Sequence, residues 1–366
     1  MRREAMKPGG GDRARRRSAA VIVGVLCLLA PMLGACGGGG PPRTMVSILP
    51  DPTAKGGAWN WSAKCPFGPI AASSCRASGP NLGAAQLVGD EWNLGSGAAA
   101  TGSLQMSVDA RGALAIRGDF QSAPPCTDAT CLAPSANTWV RGYPSVSYGL
   151  NQCHANTSPT ESPELPLPMQ VGAIPPDLVG TTTYSAHISP VTYDVAYDMW
   201  LSRSGTKKPC NSQGTLEVMV WTDYDQLAVL PPQLQVGSAS IPFAVNGVSN
   251  TGQGAWSVYA SNVFGGGRTA PWGGTVWLVL NPADTTADGT VSVDLSDALS
   301  SVGTILQNDY GWSDFATSYW LDTVPFGVEF GPQSGTTDGA GPSQFSLGIS
   351  SYCLGDSLSL SDAGCG

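Results

Sequence analysis

The sequence is divided into short apolar or alternating runs, and residues that favour turns stand between them. Of its 366 residues, 47 are Gly and 29 are Pro, and both residue types disfavour helix interiors. The runs are SLQMSVDARGALAIRGDF, TYDVAYDMWL, TLEVMVW, QLAVLPPQLQVG, GAWSVYASN and GTVWLVLNPAD. Strand-length runs at regular spacing, separated by turn signals, predict an all-β sandwich or barrel.

One segment, residues 294–306, departs from this pattern because its apolar residues have helical spacing. They are Leu295, Ala298, Leu299, Val302, Ile305 and Leu306. Asp294 stands where a helix N-cap is expected, whereas Gly303 weakens the helix. We therefore predict one short helix packed against a large β-structure, with no internal repeat and no second domain.

The first 35 residues have the features of a bacterial export signal. A basic segment (13–17) precedes an apolar run (19–32) that is shorter than the roughly 18 residues of a membrane-spanning helix. The following LGAC, residues 33–36, resembles the lipobox of bacterial lipoproteins, which implies that Cys36 is lipidated and becomes the mature N-terminus. The alternative is ordinary signal cleavage nearby, with Cys36 an incidental thiol. Residues 36–55 are predicted to be a Gly/Pro-rich tether.

Removal of the signal peptide would make the chain strongly acidic. Residues 1–35 contain seven Arg or Lys and two Asp or Glu, so the remainder has a formal net charge of −14 against −9 for the whole chain. A chain of this charge argues against nucleic acid as a partner.

Eight of the ten cysteines remain after Cys27 and Cys36 are set aside. Export places them in an oxidising compartment, where an even number favours disulfides, although spacing leaves 105 possible pairings. Three pairs are local in sequence: Cys65–Cys75, Cys126–Cys131 and Cys353–Cys365. A zinc site is disfavoured because the chain has no CxxC pair and only two histidines, His154 and His187.

Three predicted strands each carry acids on one face. Side chains alternate with period two, so Leu216, Val218 and Val220 share one face of TLEVMVW. Glu217, Met219 and Trp221 then share the other face. The same alternation puts Asp198 beside Trp200 in AYDMWL, and Glu329 opposite the aromatic face of TVPFGVEF. A hairpin between the first two strands would align the faces that carry the acids.

Any single acid on a strand is more often simply solvated, and any single Trp is more often packed in a core. The repeated pattern is what favours a site. Two carboxylates across a cleft perform glycoside hydrolysis, one as nucleophile or base and the other as general acid. Aromatic side chains would stack on the apolar faces of sugar rings.

The segments that carry these acids resemble glycoside hydrolase family 12, the retaining endo-β-1,4-glucanases. The similar segments are AYDMWL (196–201), TLEVMVW (215–221), LDTVPFGVEFGPQSG (321–335), LVGDEWNLGS (87–96), GYPSVSYG (142–149) and GAWSVYASN (254–262). They occur in the family's order, and the resemblance covers roughly residues 62–350. It implies a jelly-roll β-sandwich of two antiparallel sheets with a concave substrate cleft.

The resemblance also implies roles for individual residues. Glu217 matches the nucleophile, Glu329 the acid/base and Asp198 the aspartate that hydrogen-bonds the nucleophile. Retaining pairs have carboxyls about 5–5.5 Å apart. The residues expected to contact substrate are Trp92, Asp90, Met219, Trp221, Trp200 and Tyr148.

Three departures from the family's pattern cast doubt on substrate preference. Asp90 stands where members usually carry Asn, and Phe330-Gly331-Pro332 replaces the usual Pro-Trp after the acid/base. The loop at Cys153 lacks its usual second cysteine, which suggests that Cys153 pairs with Cys210 in an enlarged 202–214 loop. All three acids remain.

The resulting expectation is a catalytic domain over residues 56–352 and a disulfide-tied tail over 353–366. It would hydrolyse cellulose, mixed-linkage β-glucan or xyloglucan as a monomer, without a cofactor or metal. Cys36 would anchor it to the bacterial cell envelope. The alternatives are a non-catalytic glycan-binding lipoprotein and a xylanase, both on the same fold.

Overall fold

The computed structural model describes sixteen segments of the chain. They are residues 45–49, 61–66, 76–77, 86–89, 101–109, 111–122, 140, 142–150, 162–188, 191–203, 205, 214–225, 230–261, 274–333, 343–356 and 365. Among these residues no helix is long and apolar enough to cross a bilayer.

Strands make up most of the described residues. The first ten are β1 (Met45–Ser47), β2 (Trp61–Pro66), β3 (Arg76–Ala77), β4 (Gln86–Val88), β5 (Thr101–Val108), β6 (Leu114–Ser122), β7 (Ser145–Gly149), β8 (Met169–Gln170), β9 (Val179–Ile188) and β10 (Val191–Ser202). The rest are β11 (Thr215–Tyr224), β12 (Gln235–Ala239), β13 (Phe243–Val245), β14 (Val248–Asn250), β15 (Trp256–Ser261), β16 (Thr275–Leu280), β17 (Asp288–Asp294), β18 (Trp320–Gln333) and β19 (Ser343–Gly355). Short 3-10 helices lie at Val171–Ala173 and Pro232–Leu234.

The strands form two sheets. One has the order β14-β13-β17-β9-β19-β6-β5-β2, and β1 pairs with β19 beside this path. The other, which we call the acid sheet, has the order β12-β15-β16-β11-β10-β18-β7-β4-β3, and β8 pairs with β18. This arrangement confirms the predicted two-sheet all-β fold.

One strand pair differs from the predicted antiparallel arrangement, because β11 and β16 are parallel. Parallel neighbours need a long crossover connection. Here the chain between Tyr224 and Thr275 supplies it, passing through strands of both sheets before β15 and β16 pair as antiparallel neighbours.

The main core lies between the two sheets. Tyr197 and Phe326 of the acid sheet pack edge to face, with ring centroids 4.8 Å apart. From the other sheet, Tyr352 donates a 2.7 Å hydrogen bond to the carbonyl of Val324. Thr182 forms a 2.9 Å hydrogen bond with the Tyr197 hydroxyl. The buried tyrosines thus satisfy their polar ends across the sheet interface.

The predicted helix is confirmed as α1 (Leu295–Tyr310), and a second, short helix α2 (Phe315–Ser318) follows it. The Asp294 carboxylate accepts a 2.9 Å hydrogen bond from the Asp297 amide, which caps the first turn. The helix runs one turn beyond the predicted end and stops at Gly311, whose φ of 71° is the left-handed conformation that favours glycine. Of the six predicted apolar residues, all but Ile305 are buried.

The structure corrects both ends of the predicted domain. Residues 45–49 were assigned to the tether, yet Met45–Ser47 pairs with the last strand, and Val46, Ile48 and Leu49 are buried in the core. Short apolar side chains at the end of a Gly/Pro-rich stretch extend the sheet because burial stabilises them. Cys353, assigned to the tail, lies within β19.

The disulfide between Cys353 and Cys365 is present as predicted. The other predicted pairs, Cys65–Cys75, Cys126–Cys131 and Cys153–Cys210, involve side chains outside the described residues, as does Cys36.

Candidate active site

The hairpin of β10 and β11 brings two of the predicted acids together. The strands pair antiparallel, with Trp200 opposite Glu217 and Asp198 opposite Met219. Asp198 and Glu217 are therefore diagonal neighbours on one face, which brings their carboxyl groups close enough to interact. The Trp200 indole donates a 3.1 Å hydrogen bond to Oδ2 of Asp198, which fixes that carboxyl beside the strand.

The predicted division of faces in β11 is confirmed. Leu216, Val218 and Val220 lie in the main core between the sheets. Met219 and Trp221 lie in a separate apolar cluster on the other face, next to the partly exposed Glu217. Glu217 therefore lies outside the main core, although burial on this face still desolvates it in part.

Glu329 reaches the same face from β18, on the other side of β10. Its cross-strand neighbour is Asp194, which sequence reasoning did not select. The two residues are aligned across the strands, so their carboxyls lie side by side, and both residues are buried, at 0% and 4% exposure. Asp194 and Asp198 lie four residues apart on one face of β10, with Ala196 between them.

Four carboxyls thus form a diagonal row across three adjacent strands. Glu217 of β11 contacts Asp198 of β10, and Asp194 of β10 contacts Glu329 of β18. The cross-strand neighbours of the two glutamates, Trp200 and Asp194, are six positions apart along β10. We call these residues the acid row: Asp194, Asp198, Glu217 and Glu329.

Burial and two hydrogen bonds set the pKa of Glu217. Burial raises its pKa from 4.5 to about 7, although hydrogen bonds from Thr275 and with Asp198 lower it. The Thr275 hydroxyl is 2.5 Å from Oε2 of Glu217. The two hydrogen bonds thus favour the ionised form of Glu217, and burial opposes it.

The surroundings of Glu329 favour its protonated form. Burial, the charge of Asp194, its hydrogen bond with Asp194 and the charge of Glu217 all raise the pKa of Glu329 well above its usual value. The pKa of Asp194 is also raised, first by burial and then by the charges of Asp198 and Glu217. One glutamate is thus suited to attack as an anion and the other to donate a proton.

Of the predicted substrate-contacting residues, Met219, Trp221 and Trp200 lie on the face that carries the acid row. All three are buried, and Trp221 has 0% exposure. Its cluster also contains Trp277 and Tyr259, which lie beside it on the same face of the sheet, and Leu230. In this structure, Trp221 is therefore a packed side chain rather than an exposed platform. Trp92 and Asp90 lie outside the described residues.

The structure corrects the prediction for Tyr148. Its side chain lies in the main core on the opposite face of the sheet, and its hydroxyl donates to the carbonyl of Leu165. The prediction that Tyr148 contacts substrate is therefore wrong. Tyr143, five residues earlier, is the tyrosine beside the acids: its hydroxyl donates a 2.8 Å hydrogen bond to the carbonyl of Ala196.

Sequence reasoning missed Asp194 and Thr275 for different reasons. Asp194 could have been found, because it precedes Asp198 by four residues in the same strand and therefore shares its face. Nothing in the sequence marks Thr275, which reaches Glu217 through the parallel pair β11–β16 from 58 residues away.

Within the part of the chain that the structure describes, no three His, Cys, Asp or Glu side chains are placed to hold a metal ion. The acid row lies on one face of a two-sheet β-sandwich. The glutamates at its two ends, Glu217 and Glu329, both have raised pKa values.

Comparison with known proteins gives likenesses to solved structures only. No family model and no curated protein matches this chain. A native family 12 xyloglucanase from Bacillus licheniformis is 16% identical and covers 80% of this chain and 99% of its own, with a TM-score of 0.49. The xyloglucanase domain of NopAA, a type three effector from Sinorhizobium fredii, in complex with cellobiose, is 17% identical, with coverages of 80% and 97% and a TM-score of 0.46.

A third similar structure is Trichoderma harzianum endoglucanase 3 from family GH12. It is 19% identical and covers 82% of this chain and 99% of its own, with a TM-score of 0.45. At TM-scores below 0.5 we base no assignment on these likenesses.

Proposed function

We propose that this protein is an endo-acting hydrolase of β-1,4-glucans, with cellulose, mixed-linkage β-glucan and xyloglucan as the candidate substrates. The observation that carries the proposal is the acid row, in which Glu217 and Glu329 lie on the two strands that flank β10. The segments that hold these acids are also the ones whose sequence resembles glycoside hydrolase family 12.

The proposed reaction is a retaining double displacement. The ionised Glu217 carboxylate attacks the anomeric carbon, and Glu329 transfers its proton to the oxygen of the departing glucan. A covalent glycosyl-enzyme bond forms as the glycosidic bond breaks. Glu329, now ionised, takes a proton from water, whose oxygen attacks the anomeric carbon and releases Glu217.

The neighbours of each glutamate support these roles. The Thr275 hydroxyl and the hydrogen bond with Asp198 lower the pKa of Glu217 and so favour its ionised form, although burial leaves that pKa raised. The indole of Trp200 holds Asp198 in place. Around Glu329, burial and the negative charges of nearby acids favour the protonated form that a general acid requires.

The release of reducing ends tests the proposal. Wild type would be incubated with carboxymethylcellulose, barley β-glucan, xyloglucan and xylan, beside Glu217→Gln. The matched control is Glu164→Gln, which changes an exposed glutamate in the described 162–165 turn. We expect activity on at least one glucan in wild type and E164Q, and a loss of about 10²–10⁴-fold or more in E217Q.

Each other outcome has a definite meaning. Equal activity in wild type and E217Q would overturn the site assignment. Hydrolysis of xylan alone would identify a xylanase, and binding to glucan without turnover would identify a glycan-binding protein.

We further propose that the protein is exported and held at the cell envelope by a lipid on Cys36, which lies outside the described residues. The sequence LGAC supports this, because it directly follows the apolar run of the signal. The Cys36→Ala variant should move from the membrane fraction to the soluble fraction. If it fractionates like wild type, the anchor is wrong.

A further inference from the structure

The reaction proposed above uses Asp194 only as a nearby negative charge that favours the protonated form of Glu329, and gives its carboxyl no part in either step. The two residues are cross-strand neighbours in the antiparallel pair β10–β18, and their side chains meet on the face of the acid row. Asp194 is fully buried and Glu329 nearly so. Two carboxyls in this position form a hydrogen bond only when a proton lies between them.

The surroundings give neither carboxyl a substitute for that proton. Both oxygens of Asp194 and Oε2 of Glu329 are buried and meet no hydrogen-bond donor among the described residues. Among the described residues, the ionisable groups that act on the pair are Asp198 of β10, Glu217 of β11 and the Tyr143 hydroxyl before β7. None of them is cationic, so ionisation of both carboxyls would place like charges side by side in a buried site.

We propose that Asp194 is a positioning residue that shares one proton with Glu329. It thereby keeps the catalytic acid protonated and holds its carboxyl in a fixed orientation. The inference rests on the proposed function. When Glu329 gives its proton to the leaving oxygen, the pair becomes doubly negative. That state is unfavourable next to Asp198 and Glu217, so Glu329 becomes a stronger base for the water of the second step.

Asp194→Asn tests this directly. The amide has the same size but no charge, and its N–H groups donate to the ionised form of Glu329, so the pKa of Glu329 must fall. We expect the alkaline limb of the kcat/KM profile to move to lower pH by about one unit or more. The acid limb, which reports Glu217, should move less.

A matched control is Asp223→Asn. Asp223 is another buried aspartate of the acid sheet, but its carboxylate accepts a 3.1 Å hydrogen bond from Tyr193 and does not act on Glu329. Its variant should keep the wild-type alkaline limb. A folded D194N variant with an unchanged alkaline limb would overturn the inference. If D194N does not fold, Asp194→Ala removes the same charge, and its alkaline limb should move in the same direction.

Infrared titration of the full chain supplies a reading that does not depend on turnover. The band of protonated carboxyls should persist to neutral pH in wild type and shrink in both D194N and E329Q, but not in D223N. If wild type hydrolyses no glucan and this result is still obtained, the proposed function fails while the shared proton stands. If wild type is active but D194N leaves the band unchanged, the shared proton is overturned while the proposed function stands.

Discussion

The hydroxyl of Thr275 donates a 2.5 Å hydrogen bond to Oε2 of Glu217, its neighbour in the only parallel strand pair that the described residues form. The register makes this contact direct, since Glu217 and Thr275 are aligned across the two strands. A donor at this position favours the ionised carboxylate, which counteracts the effect of burial on the pKa of Glu217.

Replacing Thr275 with valine should move the acid limb of the pH–activity profile to higher pH. The change keeps the shape of the side chain and removes the donor, so the pKa of Glu217 rises above about 7. A hydrogen bond to a charged group contributes about 1.5–3 kcal/mol, which corresponds to a shift of about one to two pH units. The kcat/KM profile of T275V against pH measures it. Thr275→Ser restores the hydroxyl and should recover the wild-type limb, whereas an unshifted T275V profile would show that the bond does not act on the nucleophile.

Removal of the proposed acid should make activity depend on the leaving group. Glu329→Ala leaves no proton for a glucan leaving oxygen, so hydrolysis of polysaccharide should fall by about 10²–10⁴-fold. A nitrophenyl cellobioside needs no such proton, and its first step should be nearly unaffected. Burst kinetics on the two substrates measure the difference. Glu217→Ala, which removes the nucleophile, should lose both activities, and equal losses in E329A would deny Glu329 the role of acid.

The products should be formed with retained configuration. Two displacements at the anomeric carbon restore the β-anomer, which can be followed by proton NMR before mutarotation. The configuration of the product reports the distance between the two carboxyls, which lie on the strands that flank β10. An initial α-anomer would instead indicate a single displacement, for which the carboxyls are about 6.5–9.5 Å apart.

The buried acids should make the protein less stable as pH rises. The folded pKa of Glu217 is about 7 against an ordinary value of 4.5, so the folded chain binds this proton more tightly than the unfolded chain. Unfolding therefore releases protons between these values, and the free energy of unfolding falls with rising pH, by up to about 1.4 kcal/mol per pH unit for each such group. Urea unfolding from pH 4.5 to 7 should show the decline. It should be smaller in E217Q than in E164Q, and equal slopes in these two variants would be inconsistent with a raised pKa.

Gly327 should be intolerant of a side chain. It lies on β18 two residues before Glu329, and a Cβ there would be 2.4 Å from the carbonyl oxygen of Pro144 and 2.6 Å from Cβ of Ser145. Backbone cannot yield as a flexible side chain would, so Gly327→Ala should lower the free energy of unfolding by about 1–3 kcal/mol and reduce activity by displacing Glu329. Gly237→Ala is the control, because nothing lies within 4 Å of its Cβ position. Thermal unfolding and glucan hydrolysis measure the pair of variants, and equal effects would show that β18 accommodates the methyl group.

Local rules predicted much of this fold. Alternation in TLEVMVW places Glu217 on the face opposite Leu216 and Val218, and the structure has the same division. The spacing of apolar residues after Asp294 predicted α1, since that helix buries one continuous side. The pairing of β10 with β11 followed from their shared pattern and the short distance between them in the chain.

Contacts between distant segments decided the rest. Strand order and register decide that Thr275 donates to Glu217 and that Glu329 lies beside Asp194. They also decide which side chains pack around Trp221. The period of two residues indicates which face a side chain occupies, but not which strand lies next to it. Tyr148 and Tyr143 illustrate the same limit, because one lies in the core and the other beside the acid row.

The sequence by itself thus determined the class of the fold, the faces of its strands and the presence of two glutamates suited to glycoside chemistry, because these depend on residue type and local spacing. Only the tertiary structure decided what surrounds each glutamate. The pKa of a carboxyl depends on its burial and on the charges around it, and Asp194 comes to lie against Glu329 only when β10 and β18 pair in this register.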